Sequence, residues 1–253
     1  MERRRLGALI IGDEITRGKR QDKHFAKLIE ILRARGMRLD WAQYLGDDPD
    51  LIAVTIRRTL ASADVVFSFG GIGATPDDHT RQSAAAAAGL DLVLHPEAEA
   101  EMRARFGAEL SPFRMKMGEF PRGASIIPNP YNRVPGFSMG DHHFVPGFPV
   151  MAWPMVEWVL DTHYRHLFNS LPEADVAIMV YGLPESAVTP LMEDVEARFT
   201  GIKTFSLPSV GEDGSRRHIE LGARGAPDQV GPALDLLKAG VDALAGTWEP
   251  KQP

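Results

Sequence analysis

The sequence predicts an α/β protein in two parts, a three-layer α/β/α domain around a mainly parallel sheet and a smaller C-terminal α+β domain. Three observations carry this expectation. Apolar runs such as Leu6 to Ile11 and Val65 to Phe69 alternate with helical patterns through the first half, the order that a parallel sheet wrapped on both sides produces. The runs are apolar at successive positions rather than at every second one, as in strands covered on both faces. Towards the end the order becomes strand, helix, strand, strand, helix, which suits an antiparallel sheet with helices on one face. The two domains are expected at residues 1–167 and 172–253, separated where Asn-Ser-Leu-Pro-Glu interrupts the pattern.

Leu6 to Ile11 is the first strand and ends in Gly-Asp-Glu. Asp22 is placed to cap a helix in which Phe25, Leu28, Ile29 and Leu32 recur at i, i+3, i+4 and i+7, with Gly36 to stop it. A second strand around Leu39 and Trp41 ends at Gly46, Asp47 and Asp48, and a helix from Asp50 to about Ala63 presents Ile52, Ile56 and Leu60. Val65 to Phe69 is the third strand. An alanine-rich helix then stops near Gly89, Leu90 to Leu94 forms a short strand, and Pro96 opens a helix halted at Gly107. Residues 108–149, rich in Pro, Gly and Asn, read as loop and hairpin, with strand-like pieces at Ala124 to Ile127 and Gly136 to Met139. His143 to Val145 is a strand, Pro146 to Pro149 a turn, and the next helix is expected to bury Met151, Met155, Trp158 and Val159. The adjacent His142 and His143 point to opposite faces of a strand, so they do not share a metal ion.

In the second domain the expected elements are a strand Ala174 to Tyr181, a helix Pro184 to Phe199, strands near Ile202 to Leu207 and Arg217 to Arg224, and a helix Pro227 to Ala245. Glu212, Asp213 and Gly214 read as a hairpin turn and His218 as a surface strand residue. No catalytic cluster stands out there.

Composition narrows the function. With 44% apolar and 25% charged residues the chain is an ordinary globular sequence, and a formal charge of −6 argues against sequence-independent nucleic-acid binding. No cysteine means no thiolate nucleophile and no cysteine-ligated metal site. No signal peptide and no apolar span of the ~20 residues that cross a bilayer are visible, so a cytoplasmic protein is expected.

The most informative stretch is GGIGATPDDHT, Gly70 to Thr80, directly behind the third strand. Ligands of open α/β sheets collect at this edge. Gly70, Gly71 and Gly73 let backbone amides approach an anion, whereas Asp77 and Asp78 repel the same anion unless a cation intervenes. Amides and carboxylates together point to a nucleotide-like ligand held with Mg²⁺. The plainer alternatives are that Asp77 caps the helix beginning near Thr80, and that Asp13, Glu14 and Asp47 are caps or turn residues. His79 lies inside the motif and is a candidate acid or base.

Four segments, IGDEITRG at Ile11 to Gly18, YLGDD at Tyr44 to Asp48, the Gly70 to Thr80 loop, and PNPYNRVPGF with FVPGFP between Pro128 and Pro149, resemble the molybdopterin-binding (MoaB/Mog-like) domain family. The similarity is greatest to the amino-terminal part of competence/damage-inducible protein A and covers roughly residues 5–167. It implies trimeric assembly and binding of molybdopterin, or its adenylylated form, at the strand carboxyl ends. By motif position, Gly70, Gly71 and Gly73 would cradle a phosphate, Asp78 and Thr80 would close the loop, and Asp47 would be the acid after the second strand. Pro146, Gly147 and Pro149 match the turn beside the ligand, with Val145 in place of a leucine. The sequence departs from the family pattern at Ala74 (proline in many relatives), at Tyr131, Asn132 and Arg133 (a Val-Gly-Thr run) and at His24 (often asparagine). Nothing matches the nicotinamide-nucleotide amidase domain of longer relatives.

The candidate ligand contacts are therefore Asp13, Glu14, Gly70, Gly71, Gly73, Thr75, Asp77, Thr80, Pro146, Gly147 and Pro149. Asp47 and Asp78 are the candidate metal ligands and, if the chain turns over a substrate, the candidate catalytic pair. The expected function is binding of a phosphate-bearing pterin or nucleotide in molybdenum-cofactor biosynthesis. The alternative is metal-dependent pyrophosphatase action on ADP-ribose, FAD or a similar dinucleotide, an activity relatives imply; a non-catalytic scaffold is the third reading.

Overall fold

The computed structural model describes residues 4–169, 174–211 and 216–251. The chain divides into two compact units, Met1–Ser170 and Leu171–Pro253. The predicted turn at Glu212, Asp213 and Gly214 lies outside the described residues, as does most of the predicted boundary.

In the first unit the chain runs β1 (Leu6–Ile11), α1 (Asp13–Thr16), α2 (His24–Arg33), β2 (Trp41–Leu45), α3 (Pro49–Leu60), β3 (Val65–Phe69), α4 (Thr80–Ala88), β4 (Leu92–Leu94) and α5 (Pro96–Phe106). It continues with α6 (Pro112–Met115), β5 (Glu119–Pro121), β6 (Ser125–Ile127), β7 (Gly136–Met139), β8 (His142–Val145) and α7 (Pro149–His163). Six strands form one sheet in the order β2-β1-β3-β8-β7-β6, and β4 pairs with β5 as a separate ribbon. β2, β1, β3 and β8 are mutually parallel, while β7 and β6 are antiparallel additions.

The apolar runs are continuous because both faces of β1 and β3 are covered. Leu6, Ala8 and Ile10 join a core with Leu28 and Leu32 of α2 and Met155 and Val159 of α7. Leu9 and Ile11 join a second core with Ile52 and Ile56 of α3 and Ala84 of α4. This is the three-layer α/β/α arrangement. Asp48, not Asp50, starts α3: its carboxylate accepts from Leu51 N at 2.9 Å, with Pro49 at the first helical position.

Three expectations change. The buried stripe of α2 is His24, Leu28, Ile31 and Leu32, while Phe25 and Ile29 are 40% and 38% exposed. Tertiary partners decide this, because the His24 ring stacks on Phe69 and its Nε2 reaches Gly147 O, turning the helix about its axis. In α7, Met155 and Val159 are fully buried, but Trp158 is 36% exposed, lying off the stripe of Ala152, Met155, Val156, Val159 and Leu160 that faces the sheet. Finally, residues 108–149 contain α6 and β5, elements of four and three residues that are too short to show a period.

His142 and His143 face opposite sides of the sheet. His142 sits between Thr59 Oγ1 and Ser68 Oγ at 3.2 and 2.9 Å, and His143 between Ser138 Oγ and Tyr164 OH at 2.8 and 2.7 Å. Tyr164 OH donates onward to Asp141 at 2.7 Å, and Asp141 pairs with Arg4. Burial pushes both imidazoles down to about 3, so both are neutral.

The second unit runs β9 (Ala174–Tyr181), α8 (Glu185–Arg198), β10 (Lys203–Ser209), β11 (His218–Gly225), α9 (Pro227–Ala243) and β12 (Thr247–Pro250). The antiparallel sheet has the order β10-β11-β9-β12. Ile178, Val180, Leu221 and Ala223 on one face pack against Val188, Val195, Val230 and Leu237 of the two helices. β12 completes a β-α-β-β-α-β split arrangement that the sequence does not disclose, since it is a four-residue edge strand ending in proline. Among the described residues no helix is long and apolar enough to cross a membrane.

Candidate functional site

Because β1, β2, β3 and β8 are parallel, their carboxyl ends share one edge of the sheet, and the antiparallel β7 and β6 bring the 128–135 connection to that edge. The four sequence segments singled out above therefore emerge together. The chain leaves β1 for β2 on one side and returns to β3 on the other, so the β1/β3 boundary is the topological switch point where such sheets bind ligands. Gly12 follows β1 and Gly70 follows β3. A Cβ on Gly70, at φ +99°, would lie 2.2 Å from Ile11 O, so only glycine lets these two strand ends approach. The Pro146–Gly147 turn closes on the same point, with a Cβ on Gly147 falling 3.4 Å from Gly70 Cα. Pro149 opens α7 just beyond it.

The glycine loop is anchored by its carbonyls. Gly70 O accepts from Thr80 Oγ1 at 3.0 Å, and Gly71 O accepts from Thr80 N at 2.9 Å. Gly73 O accepts twice from Arg81, from Nε at 3.2 Å and from one terminal nitrogen at 2.7 Å. A trans peptide sets its N–H opposite to its C=O. With three carbonyls turned toward the first turn of α4, the amides of Gly71, Ile72 and Ala74 point away from it. None of these amides, nor that of Gly73, donates to an acceptor among the described residues. A run of unpaired amides on one side of a glycine loop is an anion-binding surface. Gly71, at φ +68°, admits no side chain, since a Cβ would lie 2.2 Å from Thr80 Oγ1.

The acids form two overlapping groups. Asp13 N donates to Asp47 Oδ2 at 2.9 Å and Asp47 N to Asp13 Oδ1 at 3.3 Å, locking the β1 and β2 ends together. Burial pushes the Asp47 carboxyl up, opposed by its hydrogen bond from the Asp13 amide and reinforced by the charges of Asp13, Glu14 and Asp77. In the loop, Thr75 Oγ1 lies 2.5 Å from Asp77 Oδ1 and 2.6 Å from Asp78 Oδ2, and Thr75 N donates to Asp78 Oδ2 at 2.8 Å. The Thr75 hydroxyl holds the exposed Asp77 carboxyl below the usual carboxylate range. Asp77 thus belongs to both groups and does not cap α4, whose N-cap position is His79, with no side-chain cap. Asp47 and Asp78 share no hydrogen bond, and Asp78 is not among the charges acting on Asp47.

Two residues that sequence reasoning does not assign to the site shape it. His24 is 5% exposed and its Nε2 lies 3.1 Å from Gly147 O, an acceptor, so the proton is on Nε2 and the ring fastens the turn beside Gly70. Burial lowers its pKa and its Nδ1 is buried without a partner. Arg81, 2% exposed, spans from Gly73 O to Lys116 O and Glu119 O. One sequence signal points to Arg81: a cation in the first turn of a helix stands against the macrodipole and calls for a reason. Among the described residues no three histidine, aspartate or glutamate side chains form a complete metal-ligand set.

The chain is similar to known proteins in sequence and fold. The family described as "Probable molybdopterin binding domain" matches residues 7–166. A CinA-like protein of Anaeromyxobacter dehalogenans (strain 2CP-C) is 34% identical over 198 residues, covering 74% of this chain and 48% of the relative. A CinA-like protein of Desulfosudis oleivorans (strain DSM 6200 / JCM 39069 / Hxd3) is 32% identical over 242 residues, covering 91% and 58%. The chain spans about half the length of the curated relatives it matches. The crystal structure of the protein CinA "with unknown function" from Thermoplasma acidophilum superposes with a TM-score of 0.57 at 28% identity, covering 62% of this chain and 98% of that one. With the family match spanning most of the first unit and CinA-like relatives on both sequence and structure, the chain belongs to the molybdopterin-binding domain family.

Proposed function

We propose that the carboxyl edge of the first unit binds a phosphate-bearing pterin or nucleotide, with molybdopterin or its adenylylated form as the family's candidate, in molybdenum-cofactor biosynthesis. What supports this reading most is the set of loop amides at Gly71, Ile72 and Ala74, turned away from α4 and without protein acceptors among the described residues. An anion there would meet several N–H donors at once, and Asp13, Glu14, Asp47, Asp77 and Asp78 would face it with like charge. A divalent cation resolves the conflict. Mg²⁺ usually takes one or two protein carboxylates and completes its shell with phosphate oxygens and water. Asp47 is its principal candidate ligand, with Asp13 or Asp77, whose charges act on it, second; Asp78 is not among those charges. The proposed assembly is a homotrimer, from family resemblance, and the proposed location is the cytoplasm.

A second reading, metal-dependent cleavage of a pyrophosphate bond in ADP-ribose, FAD or a related dinucleotide, is favoured by one observation. The charges of Asp13, Glu14 and Asp77 all act on the half-buried Asp47 carboxyl, a concentration of carboxylates beyond what anion binding requires. A bound divalent ion would neutralise the pyrophosphate and lower the pKa of water. Thermal shift of the purified chain with Mg²⁺ against AMP, ADP-ribose, FAD and a molybdopterin-containing extract, followed by product analysis, separates the readings. Stabilisation without product supports binding, since a ligand that binds only the folded state raises the Tm. Metal-dependent AMP release lost in Asp47→Asn supports hydrolysis, and no stabilisation at millimolar ligand refutes both.

A further inference from the structure

We infer that Arg81 is a positioning residue that fixes the polarity of the glycine loop, and so decides whether the loop accepts an anion. The inference rests on the phosphate-binding reading above. Arg81 lies in the first turn of α4, almost wholly buried, and among the described residues it makes no ion pair. Glu119 and Asp78 act on it only as charges, and burial pulls its pKa down from the ordinary guanidinium value. Arginine nevertheless stays protonated. Its compensation comes from carbonyl oxygens: Gly73 O at 3.2 and 2.7 Å, Lys116 O at 2.6 Å and Glu119 O at 3.1 Å. The helix N-terminus adds positive potential from the same direction.

These charges draw the negative ends of the loop peptides inward, which leaves the positive ends outward. The Gly73–Ala74 peptide is the sensitive one. The Gly70 and Gly71 carbonyls are held by Thr80, but Gly73 O has only Arg81 among the described residues. Without the guanidinium this peptide is free to rotate, and a half-turn replaces the outward N–H of Ala74 with a carbonyl that repels an anion. Lysine cannot substitute, since one ammonium cannot reach the Gly73, Lys116 and Glu119 carbonyls in the planar fork that arginine provides.

The test is calorimetric titration of inorganic pyrophosphate with Mg²⁺ into the full chain and into Arg81→Lys, Arg81→Met and Arg81→Ala. The expected result is at least a tenfold loss of affinity in Arg81→Met and Arg81→Lys. Millimolar guanidinium should restore binding to Arg81→Ala, and methylammonium should not. A folded Arg81→Met that binds pyrophosphate like the wild type overturns the inference. If Arg81→Met does not fold, Arg81→Lys takes its place: wild-type affinity there, or no guanidinium rescue of Arg81→Ala, overturns the inference. A wild type that does not bind pyrophosphate overturns the phosphate reading and the anion half of this inference. The pinning half is then read from limited proteolysis of the free protein: cleavage between residues 70 and 79 in Arg81→Lys but not in wild type supports it, and equal cleavage overturns it.

Discussion

Acidification from pH 7 to pH 5 should destabilise the first unit steeply, through His142 and His143. Both rings are buried and accept or donate at each nitrogen without an acid partner that would stabilise an imidazolium; Asp141 acts on His143 as a charge but does not offset burial. Their pKa falls from 6.5 to about 3 on folding. The folded-state value is the lower one, so the unfolded chain takes up the protons. Stability from this source is complete above about pH 6.5 and drains away as pH falls toward 3. Between pH 7 and 5 the folded rings stay neutral while those of the unfolded chain become almost fully charged, which costs about 2 kcal/mol per histidine and about 4 kcal/mol for the pair. The result is insensitive to the folded-state value so long as that stays well below 5. The lowered pKa of His24 adds in the same direction. Urea unfolding should be followed by fluorescence in a Trp248→Phe background, where Trp41, Trp153 and Trp158 all report on the first unit. In His142→Gln the slope of stability against pH should fall by about 1.4 kcal/mol per unit between pH 6 and 4. A total loss below about 1 kcal/mol from pH 7 to 5, or an unchanged slope in the variant, would refute the reasoning.

Other consequences follow from the site geometry. Gly71→Ala places a methyl group against Thr80 Oγ1 at a left-handed backbone angle, so it should abolish pyrophosphate binding and cost at least about 1 kcal/mol in urea unfolding. Thr80→Val leaves the carbonyl of Gly70 without its hydroxyl donor and should cost about 1–3 kcal/mol, whereas Thr80→Ser should be near wild type by thermal unfolding. Asp47→Asn removes a carboxylate whose charge burial and the neighbouring acids disfavour, so the melting temperature should hold or rise while the Mg²⁺-dependent part of pyrophosphate affinity is lost in calorimetry. Tyr164→Phe strips both Asp141 and His143 of a partner and should destabilise by about 1–3 kcal/mol in urea, with pyrophosphate binding unchanged.

The parts of the fold that are legible in sequence are those with a strong local cause. β1 and β3 announce themselves because a strand covered on both faces is apolar at nearly every position, and the breaks after them fall at glycine. The convergence of the segments that follow β1, β2, β3 and β8 at one edge follows from parallel topology, and the 128–135 connection reaches that edge through the antiparallel β6 and β7. What stays hidden depends on partners distant in sequence. The buried stripe of α2 is set by where His24 meets Phe69 and Gly147, and helical spacing fits the Phe25 stripe equally well. Among the acids, both bonded to Thr75, sequence adjacency does not reveal that Asp77 acts on Asp47 as a charge while Asp78 does not. Arg81 shows in sequence only as a cation at the unfavourable end of a helix, because its partners are backbone carbonyls, which leave no trace in residue type.

The orientation of the loop amides is tested most directly by NMR. Inorganic pyrophosphate with Mg²⁺ is titrated into the ¹⁵N-labelled chain, and the amide resonances of Gly71, Ile72 and Ala74 are followed. The geometry predicts saturable downfield proton shifts at these three amides, with Gly70, whose N–H is already bound to Val145 O, moving least. Saturable binding that leaves the three amides unmoved, or no binding at millimolar pyrophosphate, would contradict an anion cradle at this edge of the sheet.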